Sequence, residues 1–453
     1  GGSMEQTTIA ALATPPGKGG LAAIRISGPE ALLVMRQVFV PKSPATAFQP
    51  RYMMYGHFVD GEKTLDECMA VFLKAPHTYT REDVAELFLH GGEYVVNAAL
   101  GALFARGVLP AAPGEFTRRA FLNGRIDLSR AEAVMQLISA TGQAAAGAAL
   151  RQLQGGALKF VQEAQGELIR LMAGLAAAID YPEEIDQEEA VGDLAPGLLA
   201  LALRLEAACD ERGSRILAEG LQVVICGKPN VGKSSLLNAL LGEEKAIVTD
   251  LPGTTRDVVS GSVAIEGIPV HFMDTAGIRE SGEAVEQIGI RRAKEAMRAA
   301  DLCLLVLDAG EAPDAQDADI LAELAQLPHL VVINKQDLPP SKAVDDWLKS
   351  QGVGANLRVS ARTGEGMAAL RREIRCHAGN PGENALTLAR HLHLARQAAA
   401  ALRQAAEGMG QGLPLDLCAV DLNEALAALG RITGENVSDQ LLDEVFASFC
   451  VGK

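Results

Sequence analysis

The chain has 453 residues, 48% of them hydrophobic, and a formal net charge of −16. That length implies about three domains with ample material for buried cores. The acidic balance argues against indiscriminate RNA binding, because phosphates need a basic surface, so any nucleic-acid contact must use a local patch or a partner. No apolar run approaches the roughly 18 residues of a spanning helix, and no signal peptide precedes Thr8. Seven scattered cysteines (68, 209, 226, 303, 376, 418 and 450) form no CxxC pair. A cytoplasmic, reducing setting without structural zinc is therefore expected. Gly1-Gly2-Ser3 reads as an expression remnant ahead of Met4.

Residues 4–121 mix short β-rich runs, at 21–26 and 69–73, with helical stretches near 30–39 and 93–106. That pattern predicts an α+β domain. Gly17-Lys18-Gly19-Gly20 has the form of a KH-type GxxG clamp, but Pro15-Pro16 stands where a helix is needed, so a turn is expected. His90-Gly91-Gly92 reads equally as a turn or as part of a ligand rim. Residues 122–217 are Ala/Leu-rich with apolar positions at i, i+3, i+4 and i+7, which predicts helices. Within them the acidic run 183–189 reads as a solvated loop. The same helical texture returns over 381–453. Residues 218–380 thus read as a domain inserted between two parts of a helical one, with two covalent connections through which to move it.

The inserted domain carries the sharpest motif. Gly227-Lys228-Pro229-Asn230-Val231-Gly232-Lys233-Ser234 is a Walker A loop between an apolar run at 221–226 and a helical run opening at Ser235. Its glycines let backbone N–H groups cradle phosphate, Lys233 reaches the β- and γ-phosphates, and the Ser234 hydroxyl faces Mg²⁺. Asp274-Thr275-Ala276-Gly277 follows a strand-like run, placing Asp274 to support Mg²⁺ and the Gly277 N–H to sense a γ-phosphate. Asn334-Lys335-Gln336-Asp337 is the guanine-reading motif, whose Asp accepts from guanine N1 and N2. Ser360-Ala361-Arg362 matches the element that backs the base. Four such matches in fixed order specify a Ras-like GTPase domain. In Ras-like enzymes a Gln after the DxxG glycine orients the attacking water. Ile278 stands there instead, so Glu280, Glu283 and Glu286 become candidates for that task.

Beyond these shared motifs, the chain resembles the MnmE (TrmE) tRNA-modification GTPases from Thr8 to Lys453. The resemblance is carried by Thr249-Asp250-Leu251-Pro252-Gly253-Thr254-Thr255-Arg256-Asp257, by Pro113-Gly114-Glu115-Phe116, by 119–125 (Arg-Ala-Phe-Leu-Asn-Gly-Arg) and by the terminal Phe449-Cys450-Val451-Gly452-Lys453. It implies a homodimer whose G domains meet across a bound K⁺ that replaces an arginine finger. Asn230, Thr249, Leu251 and Thr254 match the K⁺ ligands, Thr255 joins Ser234 on Mg²⁺, and Glu286 matches the water-orienting carboxylate. Residues 230–235 and 249–255 thereby join 274–277, 334–337 and 360–362 as the GTP site.

The resemblance further implies that residues 4–121 form a folate-binding and dimerising domain, taking 5-formyl- or methylene-tetrahydrofolate. Arg25, Glu86, Arg125 and Lys453 match folate contacts, Arg125 standing where the family often has Lys. Cys450 is a candidate for one-carbon chemistry, against a bland reading as a small buried hydrophobe at the end of a helix over 441–449. The implied function is modification of C5 of the tRNA wobble uridine (position 34) to a (carboxymethyl)aminomethyl-type group. A flavin-dependent MnmG (GidA) partner, using NADH, would complete a heterotetramer or larger assembly. The alternative is a ribosome-assembly switch of the Era or Der type. Those proteins append a KH-type module after the G domain, and nothing after Pro381 has that character.

Overall fold

The computed structural model describes residues 7–44, 47–181, 183, 187–242, 260–274, 283–339 and 341–453, without the side chains of 187–190, 260 and 283–290. The chain divides into two compact units. One comprises Gly1–Ile138, Gln152–Leu203 and Gln397–Lys453, and the other Ser139–Arg151 and Arg204–Arg396. The second unit takes in more than residues 218–380, since helical stretches on either side cluster with it. Among the described residues, no helix is long and apolar enough to cross a membrane.

The first unit is built on a seven-stranded sheet from β1 (Ile9–Leu12), β2 (Gly19–Ser27), β3 (Phe39–Pro41), β4 (Met54–Asp60), β5 (Lys63–Leu73), β6 (Val84–Gly91) and β7 (Leu109–Pro110). The order is β3-β4-β5-β6-β2-β1-β7, with β7 parallel to β1 and the other pairs antiparallel. Alternation with period two sends Ile24, Ile26, Met54, Phe58, Ala70, Phe72, Leu87 and Leu89 to one face. There they meet Val34 and Met35 of the helix Ala31–Val38, and Ala99 and Leu103 of the helix Glu93–Phe104. The opposite face is different. Tyr55, Met69, Phe88 and Ala23 lie in one cross-strand row, and Val71, Glu86 and Arg25 in the next. Gly19 and Gly20, expected in a turn, open β2 instead.

The rest of this unit is helical, including Glu115–Leu122, Leu128–Ser139, Gly156–Asp180, Leu415–Thr433 and Asp439–Ala447. Leu128 and Ala131 share a small core with Leu442, Phe446 and Phe449. The acidic run ends inside a helix, since Gln187 begins the helix Gln187–Ala207.

The second unit holds a six-stranded sheet from β8 (Leu221–Cys226), β9 (Ser260–Ile265), β10 (Ile268–Asp274), β11 (Leu302–Asp308), β12 (His329–Asn334) and β13 (Asn356–Arg358). The order is β13-β12-β11-β8-β10-β9, parallel except for the β9–β10 hairpin. β11 is buried along its whole length, as a central parallel strand must be. Leu302, Leu304 and Val306 pack with the helices Lys233–Leu241 and Met367–His377, while Cys303, Leu305 and Leu307 face the other side. This doubly covered sheet puts Asp274 and the loops after β8, β12 and β13 at the carboxyl ends of parallel strands, where α/β folds place ligands.

Candidate functional site

The Walker A loop is shaped by three residues with positive φ: Gly227 at 144°, Asn230 at 66° and Gly232 at 96°. A Cβ on Gly227 would stand 2.5 Å from the Val306 carbonyl, and one on Gly232 would stand 2.3 Å from Asn334 Nδ2. Those two positions therefore accept only glycine. Gly232 leads into the helix Lys233–Leu241, whose first N–H groups face the loop. Lys233 is buried and its Nζ donates to the Gly227 and Lys228 carbonyls at 3.0 and 2.7 Å. Val231 is buried, whereas Asn230, Ser234 and Ser235 are exposed.

Ser234 Oγ donates to Asp274 Oδ2 at 3.0 Å. The two Mg²⁺-related residues, 40 positions apart, are brought together because β8 and β10 are adjacent and parallel. A hydroxyl and a carboxylate side by side are hard oxygen donors of the kind Mg²⁺ accepts.

The base-reading motif ends β12. Asn334 is buried and does not face outward. Its Nδ2 donates to the Val231 carbonyl at 3.1 Å, and its Oδ1 accepts from the Ala361 N–H at 3.1 Å. It thus ties the phosphate loop to the 360 loop. Lys335 Nζ reaches Asp308 Oδ2 at 2.6 Å and the Asn230 carbonyl at 2.8 Å. The Gln336 N–H donates to the Val359 carbonyl at 3.1 Å. Asp337 turns to the 360 loop instead. It accepts from Ser360 Oγ at 2.6 Å and pairs with Arg362 at 2.7 Å. The Ser360 hydrogen bond, with main-chain and Arg362 help, holds the Asp337 carboxyl below the usual range, so it remains an acceptor. Lys228, named only as a Walker A member, bridges Asp314 at 3.1 Å and the buried Asp317 at 2.7 Å, an anchoring that sequence reasoning missed. Asp308 was missed as well. Lys228 occupies a variable position of its motif and Asp308 belongs to none, so neither announces its partner.

Several expected residues lie outside the described ones: Thr249, Asp250, Leu251, Pro252, Gly253, Thr254, Thr255, Thr275, Ala276, Gly277, Ile278 and Glu280. Glu283 and Glu286 fall in the helix Glu283–Ala299, and their side chains are likewise outside the description.

In the other unit, the four folate-type residues converge. Arg25 on β2 and Glu86 on β6 are register partners, with Nε donating to Oε1 at 2.8 Å. The Arg25 guanidinium lies over the rings of Tyr79 at 5.5 Å and Phe116 at 5.7 Å. Arg125 lies over the same Tyr79 ring at 4.8 Å. The Tyr79 hydroxyl is 2.8 Å from Thr117 Oγ1, and Thr117 N and Oγ1 donate to the Lys453 main-chain oxygen at 2.7 and 3.1 Å. Burial, then repulsion from Arg25, pulls the Lys453 ammonium below its ordinary value against the opposing pull of Glu86. A cavity of about 490 Å³ opens between Tyr79, Arg125, Lys453 and the helix Leu128–Ser139. Arg25 Nη1 is buried with no hydrogen-bond partner among the described residues. A group of this kind is costly unless something supplies an acceptor.

The motifs at 113–116 and 449–453 owe their character to this assembly. Gly114, at φ 66°, caps the helix Glu115–Leu122, and a Cβ there would stand 2.8 Å from Phe449 Cβ. Phe116 is fully buried against Ile9, Ala11 and Ala111, with Tyr79 beside it, contributing about 2–3 kcal/mol. A Cβ on Gly452, at φ 96°, would come within 2.3 Å of the Leu12 carbonyl. Cys450 contradicts the bland expectation of a buried thiol inside a helix. It is exposed and lies beyond the helix Asp439–Ala447, because Ser448 already caps that helix. Tyr79, Phe116 and Thr117, which organise the cluster, were not legible as site residues, since only the fold brings them to Arg25 and Lys453.

Known proteins resemble this chain over nearly its whole length. Residues 8–125 match the family described as the GTP-binding protein TrmE N-terminus, and residues 128–450 match the MnmE helical domain. The chain is 41% identical to the tRNA modification GTPase MnmE of Natranaerobius thermophilus over 459 residues, covering 99% of this chain and 100% of that relative. It is 41% identical over 460 residues to the protein of the same name in Listeria innocua, again covering 99% and 100%. Among solved structures, Aquifex aeolicus Era bound to GDP and aluminium fluoride is 34% identical, covering 34% of this chain and 56% of that one with a TM-score of 0.29. Two family matches and near-complete coverage at 41% identity place this chain in the MnmE family of tRNA modification GTPases, enzymes that hydrolyse GTP in the course of modifying tRNA.

Proposed function

We propose that the protein is a K⁺-stimulated GTPase that modifies C5 of the tRNA wobble uridine with a one-carbon unit carried by tetrahydrofolate, in concert with an FAD- and NADH-dependent MnmG-type partner. The product would be a (carboxymethyl)aminomethyl-type group at position 34. The observation that carries the folate part is that Arg25, paired with Glu86, and Arg125 both lie over the Tyr79 ring, and that Tyr79, Arg125 and Lys453 line one cavity. A carboxylate such as Glu86 can accept from the amino and ring N–H groups of a pterin, and the cations suit its anionic tail. Calorimetry with 5-formyl-tetrahydrofolate should show binding by the parent and at least about tenfold weaker binding by Arg25→Ala. No heat from the parent removes the folate reading. In this reading the exposed Cys450 thiol stands near the one-carbon chemistry, and omission of the flavoprotein from a reconstituted reaction should abolish tRNA modification.

In the G domain, the proposed roles follow the motifs. Lys233 binds the β- and γ-phosphates, Ser234 and Thr255 hold Mg²⁺, and Asn230, Thr249, Leu251 and Thr254 hold K⁺. Glu286 orients the attacking water. Asp337 reads guanine with Ser360 to 362 behind the base.

A homodimer is part of the same proposal. The open face of the seven-stranded sheet carries Tyr55 and Met69, each more than 40% exposed, in one row with Phe88. Arg25 and Glu86 lie in the adjacent row of that face, so pairing two such faces would bring both folate sites to the interface. Sedimentation should show a dimer for the parent and a monomer for Met69→Glu, because a charge would be desolvated at the centre of the face. A monomeric parent, or a variant that still dimerises, removes this part.

A further inference from the structure

A stretch outside the GTPase motifs, Asp308 to Asp317, holds the phosphate loop from two sides. It leaves the end of β11 and enters the helix Ala315–Leu324. Asp308 holds Lys335 Nζ at 2.6 Å, and that ammonium donates to the Asn230 carbonyl at 2.8 Å. Earlier in the loop, Lys228 Nζ reaches Asp317 Oδ2 at 2.7 Å and Asp314 Oδ2 at 3.1 Å. Pro229, between Lys228 and Asn230, has its φ fixed by its ring. The backbone that carries Asn230 is therefore tied on both sides to one strand-to-helix connection.

The Lys228 tie is built into that connection. Asp314 and Asp317 form the capping box of the helix Ala315–Leu324. Asp314 Oδ1 accepts from the Gln316 N–H at 2.9 Å, and Asp317 Oδ2 accepts from the Asp314 N–H at 3.0 Å. Asp317 is 1% exposed, and its Oδ1 has no hydrogen-bond partner among the described residues. A carboxylate so buried is costly without a countercharge, and Lys228, itself 13% exposed, supplies one. Burial opposes that ammonium, yet the hydrogen bonds to Asp317 and Asp314 outweigh it and hold Lys228 above its ordinary value. A lysine of the phosphate loop is thus committed to a helix terminus.

Resting on the K⁺ reading, we infer that Lys228 is a positioning residue for the monovalent cation. Through Asp314 and Asp317 it fixes where the Asn230 side chain stands, and so favours K⁺ over the smaller Na⁺. Selection by size needs ligands that cannot close in on a smaller ion. Asn230 is exposed, with φ at 66°, so packing does not set its place and the two ties do.

The test measures GTP turnover against K⁺ and Na⁺ concentration for the full-length parent, Lys228→Arg and the double variant Lys228→Met/Asp317→Asn. In the double variant no buried charge is left unpaired, and the Asn keeps an acceptor for the Asp314 N–H. Its K⁺ concentration for half-maximal stimulation should rise at least about fivefold, the effect of one lost tie, and its ratio of K⁺ to Na⁺ rates should fall. Lys228→Arg keeps the ion pair and should stay within about twofold of the parent. Binding of a fluorescent GDP analogue reports whether the nucleotide site is intact. A double variant that no longer binds GDP gives Lys228 a merely structural role and overturns the inference. An unchanged half-maximal concentration and ratio in the double variant, or a Lys228→Arg that behaves like it, also overturns the inference and leaves the K⁺ reading standing. Equal parent rates in both salts remove both.

Discussion

Asp337→Asn is expected to weaken GTP binding by about a thousandfold and to transfer affinity to xanthosine triphosphate. Guanine presents N1–H and a 2-amino group, two donors that a carboxylate accepts together. Xanthine keeps N1–H but has a carbonyl at C2, which an Asn amide can satisfy with one acceptor and one donor. Sites built around a buried hydrogen-bonding pattern reject a mismatched partner by roughly 10⁴ to 10⁵, because the mismatch leaves polar groups unpaired. The loss expected at Asp337 is smaller because some solvent still reaches it, its side chain being 13% exposed. The Ser360 hydroxyl can donate to the Asn side-chain oxygen as it does to Asp337, so the loop should keep its shape. Equilibrium binding with fluorescent GTP and XTP analogues measures the exchange. Unchanged GTP affinity in the variant removes Asp337 as the base reader.

The second large effect concerns the cation. GTP turnover in potassium should exceed turnover in sodium by at least about tenfold, and Asn230→Ala should bring the potassium rate down to the sodium level. One stabilising group for developing transition-state charge is worth about 10² to 10³ in rate. Ile278 cannot orient water, so the burden falls on other groups. The Asn230 side chain is exposed while its main-chain oxygen is held by Lys335 at 2.8 Å, which leaves the amide free to meet an ion without moving the loop. Its φ of 66° is a complication, since alanine is strained there. Asn230→Gly separates the two effects: it relaxes the backbone and removes the ligand, and it should lose potassium stimulation as Ala does. Equal rates of the parent in both salts would sink the mechanism.

The motifs of the G domain were readable because each is local. A phosphate loop, a strand-end aspartate and a base-reading tetrapeptide each declare a chemistry within a few residues, and apolar runs before them announce the parallel strands that align their ends. The motif did not reveal how its members divide the work. Asn334 and Lys335 belong to the guanine signature, yet they face inward and brace the Val231 carbonyl, the Ala361 N–H and Asp308. Asp337 meets Ser360 and Arg362 instead, a consequence of where β12 ends beside β11 and β13.

The N-terminal site was less legible. Residues 25, 86, 125 and 453 were named only through a family likeness, since nothing local links an arginine on one strand to the last residue of the chain. The bland reading of Cys450, a small buried hydrophobe of the helix over 441–449, fails because the thiol is exposed and the helix closes two residues earlier at Ser448.

From its own order of residues, then, this chain determined a GTP-binding α/β domain flanked by helices, because phosphate cradles and hydrophobic periodicity are short-range properties. The pairing of Arg25 with Glu86, the stacking of Arg25 and Arg125 on Tyr79, and the docking of Lys453 on Thr117 were decided by tertiary structure. They join positions up to 336 residues apart, brought together by the packing of Gly114 against Phe449, of Gly452 against Leu12 and of Leu128 and Ala131 against Leu442 and Phe446.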